Sequence, residues 1–583
     1  MTIFDFDDAE ALGRVQSVDT TTVIVRVDDI DKLRQMQVNR LVVLQSSRPG
    51  QHLVGIIQKI TRSSAAAEDV DESIEDEELG LKAELNLVRI SLIGTHADRR
   101  SDKRDVFLRT LESVPEIDAN CFAVEGPRLT KFMRAISDVA EDGPRLALGA
   151  YTLDNKAEAF LNGNKFFQRH AVIVGSTGSG KSWSTARLLE QVAELANCNA
   201  LVFDIHGEYT PLQGPGFRHL KIAGPADIDG KRGLTDNVVH LPYWLLGYEA
   251  LLAFFGDHSE QSAANQSMVL SRAIVDAKTA YLEAGDHQDV LDNFTIDSPI
   301  PFELDAVLRD MSELNVARSE DGKRQGEFFG KLSRLIQRLE NKRTDRRLGF
   351  LFGGGTETMA YDWLDKLVSL LLSGSKDQAD AAGGVKIIDF SEVPSDILPL
   401  IVSLVARLAF SVQQWALDDK RHPIALFCDE AHLYIPERQS EGMADAISIG
   451  IFERIAKEGR KYGVGLVVIS QRPSEVNRTV LSQCNNLIAM RLTNGDDQAV
   501  VKRLLPDSLG GFGELLPILD TAEALVVGDA SLLPSRIRVT RPKNPPNSGT
   551  VPFWDCWAKD QTVGGLPQAV GSWRRQSQTA GAT

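Results

Sequence analysis

One short glycine-rich segment constrains the fold of this chain more than any other feature of its sequence. Residues 175–182 read GSTGSGKS and match the phosphate-binding pattern GxxxxGK(S/T) at every fixed position. An apolar run precedes this segment, and a helix with apolar residues on one face follows it. The segment is therefore predicted to join a buried strand to a helix, which indicates an α/β domain that binds a nucleotide.

The residue types in this loop suit contact with phosphate groups. Glycines allow backbone N–H groups to point inward around phosphate oxygens, and the N-terminus of the following helix adds positive potential. Lys181 is predicted to reach the β- and γ-phosphates, and the Ser182 hydroxyl is predicted to hold Mg²⁺. The full predicted phosphate-binding set is Gly175, Ser176, Thr177, Gly178, Ser179, Gly180, Lys181 and Ser182.

Two adjacent carboxylates end a later apolar run at residues 424–428. A P-loop enzyme needs one acid near Mg²⁺ and, for hydrolysis, a second acid that activates the attacking water. Asp429 fits the first role and Glu430 fits the second. Paired acids at the end of a strand are often only solvated, so this assignment depends on the phosphate-binding loop in the same chain.

Polar residues also flank a third apolar run at residues 465–470. Gln471 is predicted to hydrogen-bond the attacking water or the γ-phosphate and thereby to sense its presence. Arg460 lies in a basic segment before this run, where one guanidinium is suited to neutralise charge on a neighbouring subunit's nucleotide. Arg491 is the rival for that role, and a solvated helix face is the alternative interpretation of Arg460.

The sequence DIHGEY at residues 204–209 follows another apolar run. Two carboxylates on either side of an imidazole suggest metal binding, but their spacing matches no standard zinc pattern. We therefore predict that Asp204, His206 and Glu208 support the nucleotide site, or couple to it, from beside the phosphate-binding loop.

The pattern of apolar residues divides the chain into five segments. Short β-branched runs up to residue 150 predict a small barrel or sandwich, and the acidic stretch at 68–78 is predicted to be a solvated or disordered insertion. Continuous apolar runs then predict a parallel sheet buried on both faces, interrupted by helical periodicity. The predicted segments are a β-rich domain (1–150), the first part of the α/β core (151–240), an inserted helical subdomain (241–345), the second part of the core (346–545) and a C-terminal extension with a flexible tail (546–583).

Composition restricts the partners and the compartment of the protein. The chain carries 64 Lys and Arg against 81 Asp and Glu, which gives a formal net charge of −17. A protein that covers nucleic acid with its whole surface is normally basic, so any DNA binding must use a local basic channel. The five cysteines form no CxxC pair, which argues against a zinc ribbon and fits a reducing cytosol. No apolar run approaches about 18 residues, so we expect no membrane-spanning helix and a cytoplasmic location.

The motifs taken together resemble the HerA family in the FtsK–HerA branch of P-loop ATPases. The elements DIHGEY and EGRKYG separate this family from P-loop proteins in general, and the run LGRV at 12–15 looks like the start of the family's N-terminal barrel. The resembling motifs are GSTGSGKS at 175–182, DIHGEY at 204–209, FCDEAH at 427–432, EGRKYG at 458–463, SQRP at 470–473 and SQCNN at 482–486.

The resemblance implies a RecA-like P-loop ATPase core with an inserted helical subdomain and a small N-terminal β-barrel. It implies ATP and Mg²⁺ as cofactors, and a homo-hexameric ring that moves double-stranded DNA through its central pore. It further implies a nuclease or sirtuin-like effector as partner, in DNA end processing or anti-phage defence. In this family pattern Glu430 is the catalytic base, Gln471 the sensor and Arg460 the arginine that acts in trans.

Three functions remain open from the sequence. The first is an ATP-driven DNA translocase or helicase, for which Lys331, Arg334 and Arg338 offer one basic helical face, unless that face is only solvated. The second is a ring-shaped scaffold that assembles and activates an effector, with ATP as a switch, and the acidic net charge favours this partner-dependent role. The third is a secretion or conjugation coupling ATPase, which shares the core but usually needs membrane attachment.

Overall fold

The computed structural model describes residues 3–64, 84–99, 104–108, 110–136, 146–256, 263–318, 324–374, 384–437, 443–505, 510–531, 533–549, 551–559 and 564–575. The acidic stretch at 68–78 lies outside the described residues. The chain divides into two compact units. The first comprises Met1–Phe166, Asn486–Thr493 and Val501–Thr540, and the second comprises Phe167–Asn485, Asn494–Val500 and Arg541–Thr583.

The N-terminal part of the first unit is a closed antiparallel β-barrel. The elements of this part are β1 (Gly13–Asp19), β2 (Thr22–Arg26), α1 (Ile30–Gln35), β3 (Leu41–Gln45), β4 (Gln51–Ser64), β5 (Glu84–Arg99), β6 (Arg104–Leu108) and β7 (Asn120–Ala123). They are followed in the chain by α2 (Gly126–Ile136), the hairpin of β8 (Leu146–Tyr151) and β9 (Asp154–Leu161), and α3 (Gly163–Gln168). The strand order is β2-β1-β7-β3-β4-β5, pairing of β2 with β5 closes the ring, and β6 extends β5. Alternate residues such as Val23, Val25, Val88 and Ile90 point into a common apolar core. The small barrel is confirmed.

A parallel sheet forms the centre of the second unit. Its strands are β10 (Ala171–Val174), β11 (Ala200–Asp204), β12 (Phe217–Ile222), β13 (Val238–Val239), β14 (Val385–Asp389), β15 (Ile424–Cys428) and β16 (Val464–Ser470). They follow the order β13-β12-β14-β11-β15-β16-β10, and every pair is parallel. All residues of β10, β11, β15 and β16 are buried, as expected for strands covered on both faces. The predicted α/β core is confirmed.

Helices cover this sheet and form the predicted insertion. They are α4 (Lys181–Ala193), α5 (Pro225–Asp229), α6 (Tyr248–Phe255), α7 (Ala263–Ala284), α8 (Gln288–Leu291), α9 (Leu304–Val316), α10 (Ser333–Thr344), α11 (Gly349–Phe352), α12 (Trp363–Leu372), α13 (Leu398–Trp415), α14 (Met443–Tyr462) and α15 (Arg478–Gln483). Helices α6 to α10 lie between β13 and β14 in the chain. The inserted helical subdomain is therefore confirmed.

The first unit also contains an antiparallel ladder built from the β8–β9 hairpin and three late strands. The late elements are α16 (Gly495–Leu504), which spans both units, and β17 (Asn486–Ala489), α17 (Gly510–Gly513), β18 (Glu523–Gly528) and β19 (Ser535–Val539). β17 pairs with β18, β18 with β19, and β19 with β8.

The C-terminal extension contains two helices, α18 (Phe553–Trp557) and α19 (Leu566–Arg575). The predicted flexible tail within residues 546–583 is wrong for the described residues of α19, which are helical. Leu566, Val570 and Trp573 recur at spacings of four and three, which places them on one helix face. The glycine and serine content of the tail concealed this short helical pattern.

One described helix has the length and composition of a membrane-spanning segment, although no such run was expected. It is α13, whose mean hydropathy is 1.3 over 18 residues. In the fold 72% of this helix is buried, and it packs against α12 and α14. A core helix and a membrane span share these properties of length and composition.

Candidate nucleotide site

The motif residues converge because their strands are parallel. The loops after β10, β11, β15 and β16 all leave the sheet at its carboxyl edge, where ligands of open α/β sheets bind. In chain order, these loops carry the phosphate-binding loop at residues 175–182 (the P-loop), the DIHGEY motif, the Asp429–Glu430 pair and Gln471. All four of these loops belong to the second unit.

The P-loop has the backbone that a phosphate cradle requires. Gly178 and Gly180 have φ of 74° and 105°, a conformation that residues with a side chain rarely adopt. Gly180 is the N-cap of α4, so free N–H groups of the first helical turn face the loop. The Ser179 hydroxyl is fully buried and has no hydrogen-bond partner among the described residues. These features fit the phosphate groups of a nucleotide.

Lys181 lies between the two acids that follow β15. Its Nζ donates to Glu430 Oε1 at 2.7 Å and is 3.5 Å from Asp429 Oδ1, and all three side chains are buried. Burial opposes the charge of Lys181, but the two carboxylates outweigh it and raise the lysine pKa. Burial raises the pKa of Asp429 to about 6, despite the opposing effect of Lys181. Burial also acts on Glu430, yet Lys181 and Gln471 hold the pKa of Glu430 below its ordinary value.

Gln471 links the P-loop to Glu430. Its Nε2 donates to Glu430 Oε1, and its Oε1 accepts a hydrogen bond from Thr177 Oγ1 at 2.7 Å. Glu430 itself has φ 45° and ψ 45°, a left-handed conformation that is uncommon for a residue with a side chain and recurs at functional sites. The predicted base and the predicted sensor are thus in direct contact.

Sequence reasoning did not assign a role to His432, which contacts this group. Its Nδ1 is 3.4 Å from Glu430 Oε2 and 3.2 Å from Ser470 Oγ. Burial lowers the pKa of His432, so the imidazole is neutral at pH 7. Its position two residues after Glu430, in the motif FCDEAH, was the sequence feature that could have indicated this contact. His432 therefore lies between the end of β16 and Glu430 Oε2, the buried oxygen that does not contact Lys181 and has no hydrogen-bond partner among the described residues.

The DIHGEY motif contributes one side chain directly. Glu208 Oε2 accepts a hydrogen bond from Ser182 Oγ at 2.7 Å. Asp204 is buried and uses its two carboxylate oxygens to accept the amides of Glu208, at 2.9 Å, and Tyr209, at 3.0 Å. Burial raises the pKa of Asp204 to about 7. His206 is exposed. Within the motif, Asp204 therefore shapes the turn, and Glu208 reaches the P-loop.

The residues at this edge also offer ligands for Mg²⁺. Among the described residues no group of three or more His, Cys, Asp or Glu side chains forms a metal site by itself. Mg²⁺, however, prefers oxygen ligands and commonly binds through one or two side chains together with phosphates and water. The Ser182 hydroxyl and the Asp429 carboxylate are ligands of that kind, and both are buried at the P-loop.

Arg460, the first candidate for the trans-acting arginine, lies outside this group of side chains. Arg460 is exposed in the last turn of α14, and its side chain makes no hydrogen bond or ion pair with any described residue. Arg491 belongs to the first unit. The structure of one chain does not decide between Arg460 and Arg491, so the role of Arg460 in trans stays a prediction.

Comparison with known proteins shows which proteins this chain is similar to. The family model "Helicase HerA, central domain" matches residues 146–409. A probable helicase of Methanocaldococcus jannaschii is 26% identical over 71% of each chain. The DNA double-strand break repair helicase HerA of Pyrococcus furiosus is 25% identical over 68% of this chain and 69% of its own. Among solved structures, VirB4 of Thermoanaerobacter pseudethanolicus covers 71% of this chain and 98% of its own at 16% identity, with a TM-score of 0.43. The sequence matches agree with the motifs at the sheet edge: residues 146–409 match the HerA central domain, and the chain is similar to HerA helicases over about two thirds of its length.

Proposed function

We propose that this ATPase is a helicase-type motor that uses ATP hydrolysis to translocate double-stranded DNA. The observation that carries the proposal is the buried group formed by Lys181, Glu430 and Gln471 at the P-loop. In this group a cation, a carboxylate and an amide are within hydrogen-bond distance of one another. Hydrolysis of a phosphoanhydride requires a cation that binds phosphate, a base that accepts a proton from water and a group that orients the water.

The roles of the residues follow from their positions. The P-loop amides and Lys181 bind the phosphates, while Ser182 and Asp429 hold Mg²⁺, which when bound neutralises charge on the phosphate oxygens. Glu430 accepts the proton of the water that attacks the γ-phosphorus, and the bond to the bridging oxygen of ADP breaks. Because its pKa is held low, Glu430 is ionised at neutral pH and ready to act as a base. Gln471 orients that water and, through Thr177, couples it to the P-loop.

The proposal includes a homo-hexameric ring and a cytoplasmic location. An exposed Arg460 whose side chain has no partner among the described residues supports a role at a neighbouring subunit's nucleotide. In other P-loop enzymes such an arginine contributes on the order of 10³- to 10⁵-fold to turnover.

The names of the relatives and a local group of basic residues support DNA as the substrate of the proposed motor. Several relatives are named as DNA double-strand break repair helicases. Lys331 is exposed just before α10, Arg334 is exposed in its first turn, and Arg338 is half-buried one turn further on. Ring assembly would repeat this basic group around a pore in an otherwise acidic protein. A nuclease or sirtuin-like effector, in DNA end processing or anti-phage defence, completes the proposal.

Stimulation of ATP hydrolysis tests this function against the scaffold alternative. We expect linear duplex DNA to stimulate turnover strongly, and the stimulation to fall steeply with salt because phosphate contacts release counterions. The Glu430→Gln variant serves as the control for contaminating ATPases. If DNA does not change the rate of ATP hydrolysis and only an effector raises it, the motor hypothesis would be refuted and the scaffold hypothesis supported.

A further inference from the structure

The segment 541–547, here called the C-terminal strap, crosses the helix that follows the P-loop. Its sequence RPKNPPN contains three prolines, which fix φ and remove the backbone N–H. The amides that remain after Arg541 are those of Lys543, Asn544 and Asn547. All three donate to acceptors on α4 or on the loop after β11. The strap is therefore a stiff segment whose free amides are all engaged.

Its first attachment is a buried carboxylate on α4. Glu190 is 4% exposed, and its two oxygens accept the amides of Lys543, at 3.0 Å, and Asn544, at 2.8 Å. Arg187 Nη1 is 3.9 Å from the same carboxylate. Two adjacent amides bound by one buried carboxylate hold the strap in a fixed register along the helix. The Arg541 guanidinium lies 5.1 Å above the Trp183 ring and adds a contact beside Ser182.

Its second attachment is the DIHGEY loop. The Asn547 amide donates to the backbone carbonyl of Glu208 at 2.7 Å. Glu208 is thereby held at three atoms, since its own amide donates to Asp204 and its side chain accepts from Ser182. Gly207, with φ of 70°, makes the turn that presents the Glu208 carbonyl to the strap.

We propose that the C-terminal strap is part of the nucleotide site and that it positions Glu208 and, through Glu208, the Ser182 hydroxyl. Glu190 and the Asn547 amide are positioning groups because neither touches the P-loop phosphate cradle. The consequence for catalysis rests on the proposed function. The positioning itself is a property of the protein alone and is measurable without turnover.

The Asn547→Pro variant tests the second attachment because it removes only the donating amide from a segment already rich in proline. Hydrogen–deuterium exchange at the Glu208 and Tyr209 amides should accelerate about threefold to tenfold, the change expected from the loss of one hydrogen bond. Asn547→Ala, which keeps the amide, should preserve the wild-type exchange rate. Ser548→Pro controls for an added proline, since Ser548 is exposed and its amide makes no hydrogen bond with the described residues.

The Glu190→Ala variant tests the first attachment from the other side. It should produce the same acceleration at Glu208 and Tyr209, although the substitution lies on α4. Glu194→Ala is the matched control, because it removes only an exposed ion pair with Lys543 Nζ. That variant should exchange like the wild type.

Turnover supplies the second readout. In Asn547→Pro the Mg²⁺ concentration for half-maximal ATP hydrolysis should rise about threefold to tenfold, while the rate at saturating Mg²⁺ changes less. Wild-type exchange and wild-type Mg²⁺ dependence in both Asn547→Pro and Glu190→Ala would overturn the proposal. A wild-type protein that does not hydrolyse ATP would instead refute the proposed function, and the exchange measurement would still decide the role of the strap.

Discussion

Replacing Lys181 with methionine should make the stability of the second unit depend on pH in a defined direction. The Lys181 ammonium is 5% exposed, and the carboxylates of Asp429 and Glu430 beside it are 1% and 3% exposed. Lys181→Met removes the only cation that contacts both acids among the described residues and leaves two buried carboxyl groups side by side. Breaking a buried ion pair in this way costs about 3–5 kcal/mol when the partner stays charged.

The pH dependence follows from the pKa directions. In the wild type the folded pKa of Glu430 is lower than its unfolded pKa. Ionised Glu430 therefore stabilises the fold fully at any pH above the unfolded pKa. This stabilisation is lost only when the pH falls through the lower, folded pKa. Without Lys181 the folded pKa of Glu430 should rise above its ordinary value, and that of Asp429 should rise further above the value of about 6 that burial already gives it in the wild type. Their destabilisation grows as pH rises from the unfolded to the folded pKa. Between pH 8 and pH 6 each carboxyl can therefore recover at most about 2.7 kcal/mol by taking up a proton.

Urea unfolding followed by circular dichroism at pH 6 and pH 8 measures this effect. The stability loss of Lys181→Met relative to wild type should be clearly smaller at pH 6, and adding Glu430→Gln should restore part of the stability at pH 8. Lys366→Met, which removes an exposed pair with Asp362, is the control and should lose no measurable stability at either pH. Equal losses at both pH values, with no rescue by Glu430→Gln, would refute this account of the buried group.

Three further predictions concern catalysis and the helices. His432→Ala should lower the rate of ATP hydrolysis about tenfold with little change in nucleotide affinity, and His432→Asn should recover part of it; steady-state kinetics and nucleotide titration check this. Gly450→Ala should raise the free energy of unfolding by up to about 1 kcal/mol, because Gly450 lies inside α14 with nothing within 4 Å of the added methyl group; urea unfolding measures it. Arg460→Ala and Lys181→Ala proteins should each be inactive but should regain partial ATPase activity when mixed as exchanging subunits. Full activity of Arg460→Ala alone would contradict the role in trans.

The parallel strands were predictable because burial on both faces leaves a continuous apolar run. β15 matches its predicted run at 424–428 residue for residue. β12 was missed because Arg218, His219 and Lys221 interrupt its apolar pattern, as is common in a strand that is only partly covered. Position in the sheet, which no single segment encodes, decides how apolar a strand must be.

The convergence of the site was predictable for a topological reason. Parallel strands end at one edge, so residues that follow different strands meet there whatever their separation in the chain. The contacts within the site were less accessible, because they depend on backbone turns. The left-handed conformations of Gly207 and Glu430 decide that Glu208 reaches Ser182 and that His432 approaches the second oxygen of Glu430.

The role of the C-terminal extension was not visible in the sequence. The motif RPKNPPN has the composition of a linker, and its function in the fold depends on Glu190, which lies more than 300 residues earlier in the chain. Hydrogen bonds between backbone amides and a distant carboxylate carry no local sequence signal. Such contacts emerge only once the chain has folded.

The most direct test of the central claim is single-turnover ATP hydrolysis by Glu430→Gln together with its nucleotide affinity. The substitution keeps the shape of the side chain and removes the carboxylate that accepts the proton of the attacking water. We expect ATP to bind with close to wild-type affinity while hydrolysis slows by about 10²-fold or more. Hydrolysis at the wild-type rate would show that Glu430 is not the base and would contradict the assignment of this sheet edge as the catalytic site.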